Sequence, residues 1–252
     1  MVINKRIIKK VLSILPSSLY YLFFCLLLGV FQLIQIVCYY IGGYGPHRQS
    51  VIVLNRLLML NLGWIGTSSH FQGLDKIPKG RALIVVSNHQ NMLDIPPLIW
   101  GFRHHHPKFI SKKELGKGIP SISFNLKNGG SLLIDRKSGT TAVKQIFNHG
   151  KLMQQNKHAV IIFPEGTRSK NAALNEFKLG GIKALVQSMP EAVLIPFIIH
   201  DNFKVFQSGG FPLEIGHQLR YSVLDPIDPN DYQIETIHVF LEDLFKKALH
   251  SS

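Results

Sequence analysis

The run Ala82-Leu83-Ile84-Val85-Val86 passes without a break into Ser87-Asn88-His89-Gln90-Asn91-Met92-Leu93-Asp94. An apolar, β-branched run that ends abruptly in Asn and His reads as a buried strand delivering side chains to the rim of a sheet. The pattern occurs again where Ala159-Val160-Ile161-Ile162 runs into Phe163-Pro164-Glu165-Gly166-Thr167-Arg168. In open α/β sheets ligands bind beyond the strand ends. The two polar islands therefore mark a candidate site.

Outward from these runs the chain alternates. Strands are expected near 82–87, 107–111, 131–134, 159–163 and 193–199, and helices near 96–103, 140–155 and 179–188. This order predicts an α/β fold with a mostly parallel central sheet flanked by helices. Two later runs, 211–215 and 219–224, read as edge strands. In the last segment Ile234, Ile237, Leu241, Leu244, Phe245 and Ala248 recur at helical spacing, which lays one face on the body. A turn-rich link covers 73–80, and the polar stretch 170–176 reads as a loop. The expected division is an N-terminal helical membrane-binding region over 1–68 and an α/β domain over 69–252.

The N-terminal region is set apart by composition. Residues 11–46 contain no Asp, Glu, Lys, Arg or His, and 19–41 are almost continuously apolar. A helix of that length is about long enough to cross a bilayer core. Tyr20, Tyr21, Tyr39 and Tyr40 stand at its ends, where interfacial aromatics belong, and Lys5, Arg6, Lys9 and Lys10 precede it. The run is too long for the apolar part of a cleaved signal peptide. Residues 51–65 are apolar but short, interrupted by Asn55, Arg56 and Asn61, and read as an interfacial or re-entrant helix. A hairpin dipping into one leaflet would keep the rest of the chain on the cytoplasmic face.

The chain carries 28 Lys and Arg against 15 Asp and Glu, a formal charge of +13. Such an excess calls for a polyanionic neighbour: nucleic acid, an anionic membrane or phosphorylated substrates. No nucleic-acid-binding motif accompanies it, and the apolar N-terminus argues against that class. Cys25 and Cys38 both lie in the apolar segment. The rest of the chain therefore has no Cys nucleophile, thiolate zinc site or disulfide framework. Without a Walker loop or a Gly-x-Gly-x-x-Gly motif, no nucleotide cofactor is expected. His104-His105-His106 lacks the accompanying ligands a metal site needs and reads as a solvated or headgroup-facing loop. No metal is expected.

On a continuous helix His89 and Asp94 would point about 140° apart. They meet only if the chain turns between them. Asn91 suits such a turn, and Pro96 and Pro97 suit the first turn of a following helix. A carboxylate holding one imidazole nitrogen fixes the tautomer and raises the basicity of the other. The pair then forms a general base for a hydroxyl. Taken alone, the spacing is a weak signal and better suits a helix-capping Asp beside an incidental loop His. The second island adds Glu165, Gly166, Thr167 and Arg168, groups suited to a phosphate. Between the islands, Gly130-Ser131-Leu132-Leu133-Ile134-Asp135-Arg136 again ends a β run in charge.

With four blocks in order, the chain resembles the glycerolipid acyltransferases, and within them most closely those that act on 1-acyl-sn-glycerol 3-phosphate. The blocks are Asn88-His89 through Asp94, Gly130 through Ile134-Asp135-Arg136, Phe163-Pro164-Glu165-Gly166-Thr167-Arg168, and Leu194-Ile195-Pro196-Phe197. Lesser matches are Lys112-Lys113-Glu114-Leu115 and Phe177-Lys178. The resemblance implies that His89 is the general base and Asp94 its orienting partner. It implies an acceptor site from Asn88, Arg136, Glu165, Gly166, Thr167 and Arg168, with the arginines on the phosphate. Pro196 would shape the acyl-donor side, and Lys112 or Lys113 would add charge. The implied reaction is direct attack of a glycerol hydroxyl on an acyl thioester, from acyl-CoA or acyl carrier protein, giving phosphatidate from a lysophosphatidate-type acceptor. The rival readings are the same transfer to another acceptor (glycerol 3-phosphate, a lyso-ornithine lipid or another lysophospholipid), a non-catalytic anionic-lipid binder, and a metal-dependent hydrolase.

Overall fold

The computed structural model describes residues 5–169 and 173–250. The start of the loop expected at 170–176 lies outside the described residues, as do the side chains of Lys5 and Arg6.

Seven strands form one sheet in the order β1-β7-β6-β2-β5-β3-β4. Strands β1 to β7 span Ser68–Gln72, Leu83–Ser87, Lys108–Lys112, Leu132–Ile134, Ala159–Ile162, Val193–Ile199 and Gln218–Val223. All pairings are parallel except β6 with β7. The fold is therefore the α/β architecture expected from the alternation. β2, β5 and β6 are buried at every residue. This explains their continuous apolar character, since parallel strands are covered on both faces.

Side-chain alternation divides the core into two layers. Leu83 and Val85 face one apolar cluster, and Ile84 and Val86 face the other. The first is covered by α1 (Lys5–Gly42), α2 (Tyr44–Asn61) and α3 (Ile95–Gly101), through Tyr20, Val51, Ile52, Leu98 and Ile99. The second is covered by α5 (Thr140–Gln155), α6 (Leu179–Ser188) and α7 (Ile237–His250), through Ile146, Ile182, Leu185, Leu241 and Phe245. Gly181 is small for a packing reason: a Cβ there would lie 2.6 Å from Cδ1 of Ile162 on β5. Pro96 and Pro97 open α3, where their missing N–H groups cost nothing.

Two expectations about strands are corrected, and one helix is added. β7 is an inner strand, and the edge beside it is β1, whose polar sequence Ser68-Ser69-His70-Phe71-Gln72 hid it. Residues 211–215 form no strand. Their backbone donors go elsewhere: Leu213 N–H to Ser17 Oγ at 2.9 Å and Glu214 N–H to Val205 O at 3.0 Å. A short helix, α4 (Ile122–Asn128), follows β3 and was not anticipated.

The hairpin of α1 and α2 turns at Gly43, whose φ of 70° suits glycine. Only 17% of the most apolar window of α1 is buried, although the helix is long and apolar enough to cross a membrane. Its other face is tied to the body. Tyr20 joins the sheet core, Asn61 Nδ2 donates to Tyr20 O, and Ser121 Oγ donates to Leu28 O at 2.8 Å.

Below the sheet, only His104 of the histidine triplet is exposed. His105 meets Pro78 O at 2.8 Å, and His106 stacks on His158 with ring centroids 4.5 Å apart. The loop is thus half packed, not simply solvated. Burial, aided by Lys108 and Arg48, draws His106 and His158 down to about 4. Burial likewise draws His149 to about 4. In the unfolded chain such rings titrate near about 6.5. As pH falls below that value the unfolded chain takes up protons the folded chain refuses, so stability is lost progressively down to about pH 4. The expected result is a falling thermal midpoint between about pH 7 and about pH 5, with a shallower slope in His106→Gln/His158→Gln. Equal slopes in the two proteins would remove these rings from the account.

Candidate active site

Three loops leave the carboxyl ends of β2, β4 and β5 and are laced together. Ser169 N–H donates to His89 O at 2.8 Å. The guanidinium of Arg136 donates to Gly166 O. Glu165 clamps the site from inside, its Oε1 accepting from His89 N–H at 2.6 Å and its Oε2 from Asn175 N–H at 2.9 Å. Burial pushes the Glu165 carboxyl up, and these two N–H groups oppose the rise. Gly166, with φ 69°, closes a turn through its N–H to Phe163 O at 3.0 Å. Lys178 lies close by: a Cβ on Gly166 would sit 3.3 Å from its Nζ.

His89 and Asp94 meet as the turn between them requires. Nδ1 of His89 lies 2.7 Å from Oδ2 of Asp94. The Asp94 carboxylate is fully buried. Its Oδ2 also accepts from the N–H groups of Gln90 at 2.6 Å and Asn91 at 2.9 Å, and its Oδ1 from Asn202 Nδ2 at 2.8 Å. Tyr221 completes the chain by donating to Asn202 Oδ1 at 2.9 Å. The carboxylate is thus both the partner of the imidazole and the reciprocal half of a capping box, in which Asn91 is the cap and Asp94 accepts from its N–H. The ring itself is stacked on Phe163, with centroids 4.1 Å apart. With Nδ1–H donated to Asp94, Nε2 is the basic nitrogen.

His89 stands at a cavity of about 300 Å³ with a strongly apolar wall. Arg136 and Arg168 line it together with His89, as do Phe24, Leu28, Leu54 and Leu58 of the hairpin. Half-burial works against the charged form of the Arg136 guanidinium. An anion beside it would offset that cost.

The other expected contacts fall elsewhere. Asn88 is buried with both ends of its amide on the Ile199 backbone, Nδ2 to O and Oδ1 from N–H, each at 2.8 Å. It anchors the loop and does not line the cavity. Lys113 pairs with Asp135 on the surface, which leaves Arg136 to face the cavity. Lys112 and Thr167 are exposed. Pro196 is buried in β6, between the ladder that begins at Phe197–Val223 and the isolated bridge Leu194–Ile227. There a missing N–H breaks no ladder bond. Among the described residues no group of three or more His, Cys, Asp or Glu is placed to hold a metal ion.

Sequence reasoning missed Gln90, Asn202, Tyr221 and Phe163 as positioning groups. Gln90 ties the loop to the end of β6, with Nε2 donating to Ile199 O at 2.8 Å and Oε1 accepting from Phe203 N–H at 2.9 Å. Gln90 and Phe163 lie within the islands and were within reach. Asn202 and Tyr221 carry no local signal.

Comparison with known proteins identifies the family and the fold. A 1-acyl-sn-glycerol-3-phosphate acyltransferase of Borreliella burgdorferi is 26% identical over 81% of this chain and 80% of its own length. The human beta form of the same enzyme is 27% identical over 66% of this chain, which spans 64% of that protein. The crystal structure of the 1-acyl-sn-glycerophosphate acyltransferase of Thermotoga maritima shares the fold, with TM-score 0.76, 20% identity, and 96% and 97% of the two chains covered. The sequence model described as Acyltransferase matches residues 68–200, from the first residue of β1 to one residue past β6, with both islands inside it. That match takes in more than half of the chain, and the chain belongs to the acyltransferase family.

Proposed function

We propose that this enzyme transfers a fatty acyl group from acyl-CoA or acyl carrier protein to the sn-2 hydroxyl of 1-acyl-sn-glycerol 3-phosphate, giving phosphatidate. The observation that carries the reading is the His89–Asp94 pair at 2.7 Å, set at an apolar cavity that two arginines also line. The names of the relatives point to the same acceptor. His89 Nε2 takes the proton of the hydroxyl as its oxygen attacks the thioester carbonyl. The tetrahedral intermediate then collapses, the C–S bond breaks, and the imidazolium returns the proton to the leaving thiolate. Asp94 stabilises the imidazolium formed between those steps. Arg136 and Arg168 hold the acceptor phosphate, and the apolar cavity takes an acyl chain.

An acceptor panel with one acyl-CoA donor tests this. Arg168→Ala is expected to lower kcat/KM for 1-acyl-glycerol 3-phosphate by about tenfold to a hundredfold, the loss of one charge-assisted bond. A neutral monoacylglycerol should lose far less. Equal losses on the two acceptors would take Arg168 off the phosphate. A preference for glycerol 3-phosphate or a lyso-ornithine lipid in the wild type would replace the acceptor named here.

The same proposal places residues 1–68 as the membrane anchor of the domain at 69–252, on the cytoplasmic face. Support comes from α1, which presents Leu15, Leu22 and Leu33 outward at more than 60% exposure while its inner face is held by the body. A helix bound along one side in this way suits immersion in one leaflet better than a crossing. The net charge of +13 suits anionic headgroups and an anionic donor. A C-terminal tag should be cleaved by protease only in vesicles that expose the cytoplasmic face. Cleavage in the opposite orientation would mean that α1 crosses.

A further inference from the structure

Two residues lining the cavity carry buried polar atoms without partners, the hydroxyl of Tyr20 and the amide of Gln35, and only Gln35 leaves both a donor and an acceptor group of an amide unpaired. Tyr20, Phe24, Leu28, Phe31 and Gln35 follow one another at three- and four-residue steps along the inner face of α1. Four are apolar or aromatic, as a packed stripe demands. The fifth is an amide. Gln35 is fully buried and lines the cavity, yet neither its Nε2 nor its Oε1 has a hydrogen-bond partner. Its polar neighbours are satisfied: Asn55 Nδ2 donates to Val51 O and Ser121 Oγ to Leu28 O, each at 2.8 Å. Gln32, one turn earlier, is also used, its Oε1 accepting from Ser121 N–H at 2.6 Å.

A buried amide without partners is costly, and leucine at this position would complete the stripe without that cost. The place of Gln35 is informative. At 1.5 Å per residue it lies about 22 Å along α1 from Tyr20. Tyr20 shares its apolar cluster with Leu93 and Phe163, the residues next to the His89 site. Gln35 and His89 line the same cavity, so a chain lying in it meets the amide at one fixed distance from the reacting atoms. An unsubstituted alkyl chain reaching it would leave both amide atoms unpaired. A hydroxyl pairs both at once, donating to Oε1 and accepting from Nε2.

We propose that Gln35 is a recognition point for a hydroxyl on the acyl chain of the donor, and that the enzyme selects chains hydroxylated at that depth over plain chains. The proposal rests on the reading that the cavity takes an acyl chain. A site built around a substrate hydroxyl discriminates strongly against the analogue that lacks it.

The test uses the full-length protein and hexadecanoyl-CoA donors whose hydroxyl is moved stepwise toward the methyl end, with plain hexadecanoyl-CoA as reference. A parallel arm places the hydroxyl on the 1-acyl chain of the acceptor. The wild type should favour one hydroxyl position of the donor by about tenfold in kcat/KM. Gln35→Leu should lose that preference and gain on the plain chain. Calorimetric binding of the matching hydroxylated and plain fatty acids gives the same comparison without turnover. If no thioester is turned over, the acyl-transfer reading fails, and the binding arm still decides the role of Gln35. A hydroxyl-to-plain ratio that is equal in wild type and Gln35→Leu overturns the proposal, whatever the substitution does to thermal stability. A preference confined to the acceptor arm overturns it as well.

Discussion

His89→Ala lowers the turnover of acyl transfer by about a thousandfold, the scale of a lost general base. The protein stays folded and membrane-bound. The reason is local. The alanine removes Nε2 and the stack on Phe163, but Asp94 keeps the N–H groups of Gln90 and Asn91 and the Asn202 amide. No buried charge is stranded, so the thermal midpoint should fall only by the equivalent of about 1–2 kcal/mol. KM for the acceptor should change little, because the phosphate contacts are assigned to Arg136 and Arg168. A variant that retains most of its turnover would refute base catalysis by His89. A variant that fails to fold would show that the ring is chiefly packing.

Substitutions of Asp94 separate orientation from architecture. In Asp94→Asn one oxygen can still accept from His89, Gln90 and Asn91. The new amide nitrogen then faces Asn202, whose side chain can turn over because Tyr221 can reverse its hydroxyl. The loop should survive, but the imidazolium loses its counter-charge. Turnover is expected to fall by about a thousandfold or more. Asp94→Ala leaves two backbone N–H groups and an amide unpaired in a fully buried place. It should cost about 3–5 kcal/mol of stability in addition to the activity. The decisive comparison is thermal melting beside steady-state kinetics for the two variants. Equal melting points would show that the carboxylate does not organise the loop. Wild-type turnover in Asp94→Asn would dissolve the pair.

Much of this was legible because the information is local. A strand run followed by Asn-His, a turn at Asn91 and two prolines after Asp94 allowed the imidazole and the carboxylate to meet, and the second island and the four ordered blocks turned that possibility into an expectation. The alternation of runs was enough for a mostly parallel sheet. What failed was non-local. β1 is half exposed and polar, and only its pairing with β7, register Ser68 with Gln218, makes it a strand. Residues 211–215 have the apolar spacing of a strand, but α1 and the turn near Val205 take their donors. Asn202 lies 108 residues from the carboxylate it binds.

The polar residues of the islands teach a second lesson. Asn88 and Glu165 looked like ligand contacts because they stand in the same islands as His89, Asp94 and Arg168. Both are buried, with their hydrogen bonds spent on backbone. A site of loops needs internal struts, and struts are drawn from the same residue types as ligand contacts. Burial separates the two classes, and burial is a property of the folded chain. The cavity shows the same limit. Its walls come from α1, α2, α3 and α4 together, so no single segment announces it.

The measurement that bears most directly on the central claim is thiol release from a long-chain acyl-CoA by the purified protein in detergent, with and without 1-acyl-sn-glycerol 3-phosphate, wild type beside His89→Ala. The account predicts release that depends on the acceptor and is lost in the variant. Release that persists unchanged in His89→Ala, or that ignores the acceptor, would contradict it.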